Sequence, residues 1–395
     1  MKHTYKILFV ASIFAFALNA CKKIEIKPKG TVEASEAIKT ERDVRDILNG
    51  AYGPLPGGGF YGGRLQKIGE YMADAADGGN LSGYERDIFQ FKSNPNSGTT
   101  ETYKEPYVII QRTNVVLENL SKVTSSAATA SNYKGQALFL RGLCHFELVK
   151  LYAQPYGYTA NNTHNGIVIR KNSNLELGKA RNTVAEVYAA IISDLKEAAN
   201  LLPTSNGNLA DKWAAEGFLA KVYFQMNKFD SAYKYADDVI TNSAASFDYT
   251  ADFVTNRFNN PVSQEAVFYL VNETVPSSNI RFGGLRNDAN PLLGMSLPIT
   301  AAAYTAGNSN THDLRKAWYS NTAGIYGITK YKKNNFILPL LHITELKLIR
   351  AESAVELNQN IPVAISDIND ITTRAYDGFL APLDGTATLP VIKAR

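Results

Sequence analysis

Few side chains in this 395-residue sequence have the types and spacing that catalysis or metal binding requires. Asp74 and Asp77 form a candidate carboxylate pair, but residues three apart near a helix end serve equally well as caps or as acceptors for a ligand hydroxyl. His342 and Glu345 are also three apart, yet no second histidine completes a zinc pattern. The sequence therefore predicts no metal, no cofactor and no enzymatic activity.

Nucleotide and nucleic-acid binding are not indicated either. Gly57, Gly58 and Gly59 are followed by neither the Lys-Ser/Thr pair nor the strand-to-helix context of a phosphate-binding loop. The 41 basic and 37 acidic residues leave a net charge of only +4, and no cluster of cations is present to replace the counterions of several phosphates. No nucleic-acid partner is predicted.

The composition is better suited to binding through flat apolar faces with polar edges. Hydrophobic residues make up 45% of the chain, and 22 tyrosines stand against two tryptophans. Both tryptophans, Trp213 and Trp318, are predicted to be structural, so the loops have no tryptophan platform. This shortage disfavours starch-like glycans and favours peptides or decorated glycans.

The N-terminus has the pattern of an exported lipoprotein. Residues 1–20 combine a basic start, an apolar run of twelve residues and a small residue before a cleavage site, which is the pattern of a signal peptide. The apolar run is too short to span a membrane as a permanent helix. The sequence Leu18-Asn19-Ala20-Cys21 resembles a bacterial lipobox, in which the cysteine is acylated. We predict lipidation at Cys21, and a polar tether over residues 21–39.

Helical periodicity and capping signals then predict the scaffold. Thr40 with Asp43, and Thr183 with Glu186, have the spacing of capping boxes. Helices are predicted over residues 40–52, 103–123, 133–152, 183–202, 211–226, 230–242, 345–357 and 362–376. The pairs 211–226 with 230–242 and 345–357 with 362–376 have the small and aromatic residues of tetratricopeptide-like hairpins.

Two long segments lack this periodicity. Residues 54–102 and 243–339 are rich in Gly, Asn and Pro, and contain only short strand-like runs such as 267–271. The predicted fold is dominated by α-helices, with tetratricopeptide-like hairpins as scaffold and irregular loops and a few short strands carrying the ligand site. Residues 40–395 are predicted to form one domain.

Taken in order along the chain, several segments resemble the SusD/RagB family of outer-membrane lipoproteins of Bacteroidetes. The resemblance covers almost the whole chain, and its order is more specific than any one segment. It is carried by residues 21–30, 46–52, 137–152, 166–170, 183–188, 194–195, 214–240, 312–315, 330–331 and 345–352.

The resemblance implies a function and a set of partners. It implies a cell-surface nutrient-binding lipoprotein, anchored in the outer membrane through Cys21 and facing the exterior. Such a protein captures oligosaccharides or peptides and delivers them to a SusC-like TonB-dependent barrel. The alternative is a helical-repeat scaffold that binds only protein.

The resemblance also places the ligand site on the loops after the first helix and on the long insertion between the hairpins. Candidate ligand-binding residues there are Tyr61, Arg64, Asp77, Asn80, Tyr84, Phe282, Arg286, Tyr304 and Tyr326. The family continues beyond the last helical pair, whereas this sequence stops at Arg395. We therefore expect the final hairpin to expose part of its apolar stacking face.

Overall fold

The computed structural model describes residues 38–73, 83–92, 100–174, 178–257, 262–271, 312–322, 325–328 and 337–394. The chain divides into a unit of residues 1–39, in which only Ile38 and Lys39 are described, and a unit of residues 40–395. The second unit contains the helices and strands given below.

The second unit is built mainly from helices. The helices are α1 (Glu41–Tyr52), α2 (Arg64–Met72), α3 (Gly83–Phe89), α4 (Thr100–Glu118), α5 (Ala127–Tyr152), α6 (Val184–Leu201), α7 (Lys212–Gln225), α8 (Phe229–Asn242), α9 (Phe253–Asn256), α10 (Ile343–Leu357), α11 (Ile361–Ala375) and α12 (Leu389–Ala394). The strands are β1 (Ala266–Val271), β2 (Tyr319–Thr322), β3 (Ile325–Ile328) and β4 (Ile337–His342). The predicted helix-dominated fold is confirmed.

Side-chain caps fix the starts of three predicted helices. Thr40 accepts a hydrogen bond from the Asp43 amide and the Asp43 carboxylate accepts one from the Thr40 amide, so both halves of the capping box at α1 are present. Thr183 and Glu186 form the same box at α6. At α7 the Asp211 carboxylate accepts from the Ala214 amide.

The helices pack in a continuous series. α1 packs on α4, α4 on α5, α5 on α6, α6 on α7 and α7 on α8. Helix α5 lies deepest, since residues 135–149 are all buried. In the part of the chain that the structure describes, no helix has the length and apolar character needed to span a membrane.

Small residues let the hairpin of α7 and α8 pack closely. Leu219, Ala220 and Ala232 have no exposed surface, whereas Tyr223 is half-buried. A Cβ at Gly217 would come within 2.1 Å of the Leu341 side chain, so glycine at this position accommodates the close approach of β4 to α7.

Segment 54–102 contains more regular structure than the sequence predicts, because α2 and α3 lie within it. Helix α2 buries Ile68 and Tyr71, whose spacing of three is helical. The pattern is hard to recognise because α2 is only nine residues long and follows a glycine-rich run. The described part of this segment is therefore a helical layer with a glycine loop at its start.

A two-stranded ribbon connects the second long segment, residues 243–339, to the helical series. β1 pairs antiparallel with β4, with Ala266 opposite His342 and Val271 opposite Ile337. Beyond the ribbon, β2 and β3 form a second antiparallel pair. Because β4 runs directly into α10, and α10 packs on both α8 and α11, the two predicted hairpins are neighbours in space.

A buried ionic cluster anchors the base of this ribbon. The Arg374 guanidinium donates to Glu265 Oε1 at 2.6 Å and to Thr344 Oγ1 at 2.9 Å. It also lies over the rings of Phe247 and Phe253, 3.9 and 4.1 Å from their centroids. Glu265 is only 1% exposed, so its charge depends on these partners. We call Arg374, Glu265 and Thr344 the ribbon cluster.

The final hairpin has a similar ionic contact and a covered apolar face. Asp367 accepts from both Lys347 and Arg350, which joins α11 to α10. The apolar face predicted to be exposed is covered in part, because Leu383 and Ile392 pack into the cluster that this hairpin forms. Ile392 belongs to α12, which follows the hairpin.

Candidate functional site

One side of α4 holds a loop against the helix and so builds a wall of the candidate site. Tyr107 donates to the Val168 carbonyl at 2.9 Å, and Gln111 donates to the Ser173 carbonyl at 2.5 Å. Further along, Glu118 accepts from the Ser173 amide at 2.7 Å. Positions 107, 111 and 118 share one helical face. The segment 168–173 is therefore fixed along α4.

Between this segment and the start of α4 lies a pocket of about 480 Å³. Tyr103, which is 37% exposed, lines it with Tyr107, and their ring centroids are 5.0 Å apart. Tyr152 packs edge-to-face on Tyr103, with the two ring centroids 5.0 Å apart. Lys104 and Arg170 add charge at the lining. We call this the tyrosine pocket.

Tyr107 and Tyr152 are neutral hydrogen-bonding groups. Burial raises the pKa of Tyr107 above its ordinary value, and the neighbouring Tyr103 raises it further. Burial, followed by the effect of Tyr103, also raises the pKa of Tyr152 to about 12. At neutral pH the phenols of Tyr107 and Tyr152 therefore keep their protons.

A glycine-rich loop forms the other side of the site. Its apolar residues Leu55 and Phe60 are buried, which anchors the loop to the helical layer. A side chain at Gly62 would come within 1.8 Å of the Pro56 carbonyl oxygen, so only glycine fits this turn. The amides of Gly58 and Gly59 have no hydrogen-bond acceptor among the residues that the structure describes.

This loop borders a cleft of about 1020 Å³. Arg64, Lys67, Glu105 and Arg112 supply the charged side chains of its lining, and Gly57, Gly58 and Gly59 expose backbone there. Lys67 forms an ion pair with Glu85 at 2.7 Å. We call this the glycine-loop cleft.

Arg112 lines both cavities, so the tyrosine pocket and the glycine-loop cleft adjoin along α4. Its guanidinium donates to the Gly50 carbonyl, which ties α4 to the end of α1. The combined surface has aromatic rings at one end and charged side chains with open amides at the other. Such a surface binds hydroxyl-bearing ligands by stacking and hydrogen bonding.

The described residues offer no site for metal chemistry. Nowhere within the described ranges do three or more His, Cys, Asp or Glu side chains gather to hold a metal ion. His342 caps α10 by accepting from the Thr344 amide, and burial beside Arg257 lowers its pKa well below the ordinary value. It is a neutral structural residue.

Tyr61, a candidate stacking residue, occupies a different environment from the one expected. It is 5% exposed and its hydroxyl donates to Glu147 Oε1 at 2.9 Å. Glu147 also pairs with Lys150 at 2.7 Å. Tyr61 lines a separate cavity of about 400 Å³, but its ring is packed against Phe60. This arrangement gives Tyr61 a packing role.

Of the other candidates, only Arg64 is placed at the site, where it lines the glycine-loop cleft. Tyr84 lies in α3 and Tyr326 in β3, but their side chains are outside the described part of the structure. Outside the described residues altogether are Cys21, Asp74, Asp77, Asn80, Phe282, Arg286 and Tyr304.

The prediction that Trp318 is structural agrees with its contacts. Its indole nitrogen donates to the Val254 carbonyl at 2.7 Å, and its ring packs edge-to-face on Phe253. Trp213 lies half-buried in α7, as the sequence predicts for a helix residue.

Sequence reasoning did not single out Tyr103, Tyr107 or Arg112, because their segment was interpreted only as a packing helix. A signal was present: Tyr103, Tyr107 and Gln111 recur at intervals of four, which places three amphipathic side chains on one face. A face of this kind is too polar for a helix core and fits the lining of a cavity.

The chain matches the SusD-like model of a protein family over residues 27–224. The family is described as starch-binding and associated with the outer membrane. The match covers half of the chain, and it includes α4, the glycine loop and the segment 168–173.

Similar proteins come from several bacteria. SusD-like protein P2 of Formosa agariphila is 27% identical over 61% of this chain and 46% of its own length, so the chain spans about half of the curated relatives it matches. A Bacteroides vulgatus protein named for sugar binding has a solved structure with a TM-score of 0.77 and 26% identity, covering 90% of this chain and 83% of that one. A SusD superfamily protein of Bacteroides thetaiotaomicron shares the fold with a TM-score of 0.76 at 22% identity, covering 89% and 84%.

Proposed function

The chain belongs to the SusD-like family, and from this we propose that it is a carbohydrate-binding protein of the outer membrane that captures oligosaccharides without cleaving them. The observation that carries the proposal is the tyrosine pocket. Tyr103 presents an exposed ring, and Tyr107 is held in place by its bond to the Val168 carbonyl. Sugar rings carry apolar C–H faces that stack on such rings, and polar edges that hydrogen-bond beside them.

Binding to a panel of oligosaccharides and oligopeptides tests this proposal. Tyr103→Ala should weaken the affinity for the best ligand about tenfold, which is the scale of one lost aromatic contact. Tyr249→Ala is the matched control, because Tyr249 is 67% exposed but lines neither cavity of the site. Both variants should keep the wild-type melting temperature.

The panel also separates the proposal from its alternatives. Binding of peptides alone would replace oligosaccharides by peptides as the ligand class. Absence of binding to both classes would contradict ligand capture and favour a helical scaffold that binds only protein. Chromatography of incubated oligosaccharides tests the absence of catalysis, since any cleavage products would contradict it.

We further propose that the protein delivers its ligand to a SusC-like TonB-dependent barrel at the outer membrane. Support comes from the family's association with that membrane and from the lipobox-like sequence at Cys21. Co-purification of the barrel with the native protein is the expected result. A neighbouring gene for such a barrel would add support, and purification without any barrel would contradict delivery.

Lipid anchoring and exposure to the exterior have their own tests. Cys21→Ala should move the protein from the membrane fraction to the soluble fraction, because the acyl chains supply the anchor. Protease added to intact cells should degrade the wild-type protein. A protected protein would place it on the inner side of the membrane.

A further inference from the structure

The segment 168–173, which forms a wall of the tyrosine pocket, is held from the core by Asn114 of α4. The side-chain nitrogen of Asn114 donates to the carbonyls of Arg170 and Asn172, at 3.2 and 2.9 Å. Its side-chain oxygen accepts from Arg141 Nη1 at 2.9 Å. A guanidinium can only donate and a carbonyl can only accept, so these partners fix which way the amide faces. Because Asn114 has no exposed surface, it can influence a ligand only through this segment.

Arg141 and Asp194 continue this contact into the next two helices. Arg141 Nε and Nη2 donate to the two carboxylate oxygens of Asp194, at 2.8 and 2.7 Å. Two parallel bonds of this kind fix the direction of the guanidinium as well as its distance. Both side chains are buried. We call Asp194, Arg141 and Asn114 the core relay, and it connects α6, α5 and α4 to the segment 168–173.

A second buried side chain holds the same part of the wall. His145 Nε2 accepts from the Arg170 amide at 3.3 Å, while Asn114 donates to the Arg170 carbonyl. Both backbone polar groups of Arg170 are therefore bound by side chains of α4 and α5. Val168 and Arg170 line the tyrosine pocket. The place of this wall is thus set by groups that do not themselves line the pocket.

Hydrogen bonds suit this task better than apolar packing does. The segment 168–173 belongs to no helix or strand of the described structure, so side chains hold its backbone in place of a backbone ladder. A buried Arg–Asp pair adds little net stability compared with apolar residues of the same volume, because both charges must leave water. Its bonds do fix distance and angle, which apolar contacts leave free. The core relay therefore contributes geometry to the wall.

We propose that Arg141 and Asn114 are positioning residues of the tyrosine pocket. They hold the wall formed by Val168 and Arg170 where a sugar ring stacked on Tyr103 meets it. A wall that is already in place lowers the cost of ordering the site on binding. This inference rests on the proposed function, since it assigns residues that set the affinity of the same site.

The affinity for an oligosaccharide tests the relay. The probe is the hexaose that the wild-type protein binds most tightly among maltohexaose, laminarihexaose, cellohexaose and xylohexaose. Asn114→Asp keeps an acceptor for Arg141 but removes both donors to the carbonyls, so it should weaken the affinity about threefold to tenfold.

A second, milder variant tests whether Arg141 acts through Asn114. Arg141→Lys keeps a positive charge beside Asp194 but cannot reproduce the planar fork, so it should weaken the affinity about twofold to threefold. In the Asn114→Asp background the same change should have a smaller effect, because the contact through which Arg141 acts is already lost. An effect of equal size in both backgrounds would overturn the relay.

Val239→Ala is the control for a general loss of stability. Val239 is fully buried in α8 and lines neither cavity of the site. Its truncation should lower the melting temperature and leave the hexaose affinity unchanged. A loss of affinity equal to that of Asn114→Asp would make the effect one of stability and overturn the proposal.

Amide hydrogen exchange tests the positioning without a ligand. In Asn114→Asp, peptides that cover residues 166–174 should exchange about fivefold faster than in the wild-type protein, because the wall has lost two of its hydrogen bonds. Peptides that cover α8 should keep their wild-type rate. Unchanged exchange over residues 166–174 would overturn the proposal.

The outcomes separate this proposal from the one on which it rests. A hexaose that binds the wild-type protein and both variants equally well would overturn positioning by the core relay and leave carbohydrate binding intact. Failure of all four hexaoses to bind the wild-type protein would overturn both.

Discussion

The ribbon cluster and the glycine-loop cleft both contain arginines, but the two regions treat the charges differently. In the ribbon cluster, Arg374 is 5% exposed and Glu265 1%, and the guanidinium finds its carboxylate within the chain at 2.6 Å. In the cleft, the charged lining residues within the described part of the chain are Arg64, Lys67, Glu105 and Arg112, and they border open space. The first region buries its charged groups against one another, whereas the charged side chains of the second line a cleft that is open to solvent.

The difference separates charged side chains that stabilise the fold from charged side chains that are accessible to a ligand. A buried arginine needs its carboxylate, because an unpaired buried charge is costly. A cation at a solvent-filled cleft has water as a partner and is held at little cost. Charged side chains that line a cleft, with open backbone amides beside them, therefore indicate binding and not stability.

The largest effect expected from this comparison is on stability. Arg374→Met should lower the free energy of unfolding by about 3–5 kcal/mol, because it removes the main partner of a buried carboxylate. Arg64→Gln should change it by less than about 0.5 kcal/mol. Chemical denaturation of both variants measures the contrast, and equal losses would remove the distinction between the two regions.

Acid should destabilise the protein through His145, a buried histidine that stays neutral in the folded chain. Burial, and then the nearby charges of Arg141 and Lys171, lower the pKa of His145 to about 3. The unfolded chain takes up this proton near pH 6.5 and the folded chain does not, so stability falls as the pH drops below about 6.5. At pH 5 the loss relative to pH 7 should be about 2 kcal/mol.

His145→Gln is the test of that assignment, because glutamine keeps an acceptor for the Arg170 amide but does not titrate. The variant should lose less stability between pH 7 and pH 5 than the wild-type protein. An unchanged pH dependence would assign the acid sensitivity to other groups, among them His342, whose pKa is lowered in the same direction.

A smaller effect is expected at Tyr107, in the wall of the tyrosine pocket. Tyr107→Phe removes the hydrogen bond to the Val168 carbonyl while keeping the ring, so the free energy of unfolding should fall by about 1 kcal/mol. Ligand affinity should fall less than in Tyr103→Ala, because the stacking face remains. A larger loss of affinity than in Tyr103→Ala would assign the main contact to the phenol hydroxyl.

The smallest effect should come from the ion pair at the edge of the cleft. Lys67→Met breaks the pair with Glu85 but leaves both positions access to water, since their side chains are 13% and 22% exposed. The free energy of unfolding should change by at most about 1 kcal/mol. A loss as large as that of Arg374→Met would show that this pair is structural.

Most of the scaffold was predictable from sequence because its signals are local. The capping boxes at Thr40 and Thr183 are complete within four residues, and the hairpin of α7 and α8 is defined by Leu219, Ala220 and Ala232. The neighbouring positions of α8 and α10 were not predictable, because the ribbon that joins them is formed by segments about seventy residues apart.

The site was predictable only in part for the same reason. Arg64 was identified from its loop, but the cleft acquires Arg112 from α4, and the adjoining pocket acquires Arg170 from a segment further along the chain. Charge at a surface depends on which segments meet there, and this information is absent from local patterns. The surroundings of Tyr61 were not predictable either, since this loop aromatic lies buried beside Glu147, a residue of α5 that is distant in sequence.

The packing of α8 against α10 also sets an order of events during folding. Helices α4 to α8 each pack on the next helix in sequence, and the longest connection among them is residues 153–183. The contact between α8 and α10 must instead close a loop of the hundred residues 243–342. The length-dependent entropy of this closure costs about 4 kcal/mol, so the first hairpin should assemble before the second joins it. During synthesis the nascent chain would then expose the outer side of α8 until residues 343–357 emerge, and in that interval α8 is the surface most open to misassembly.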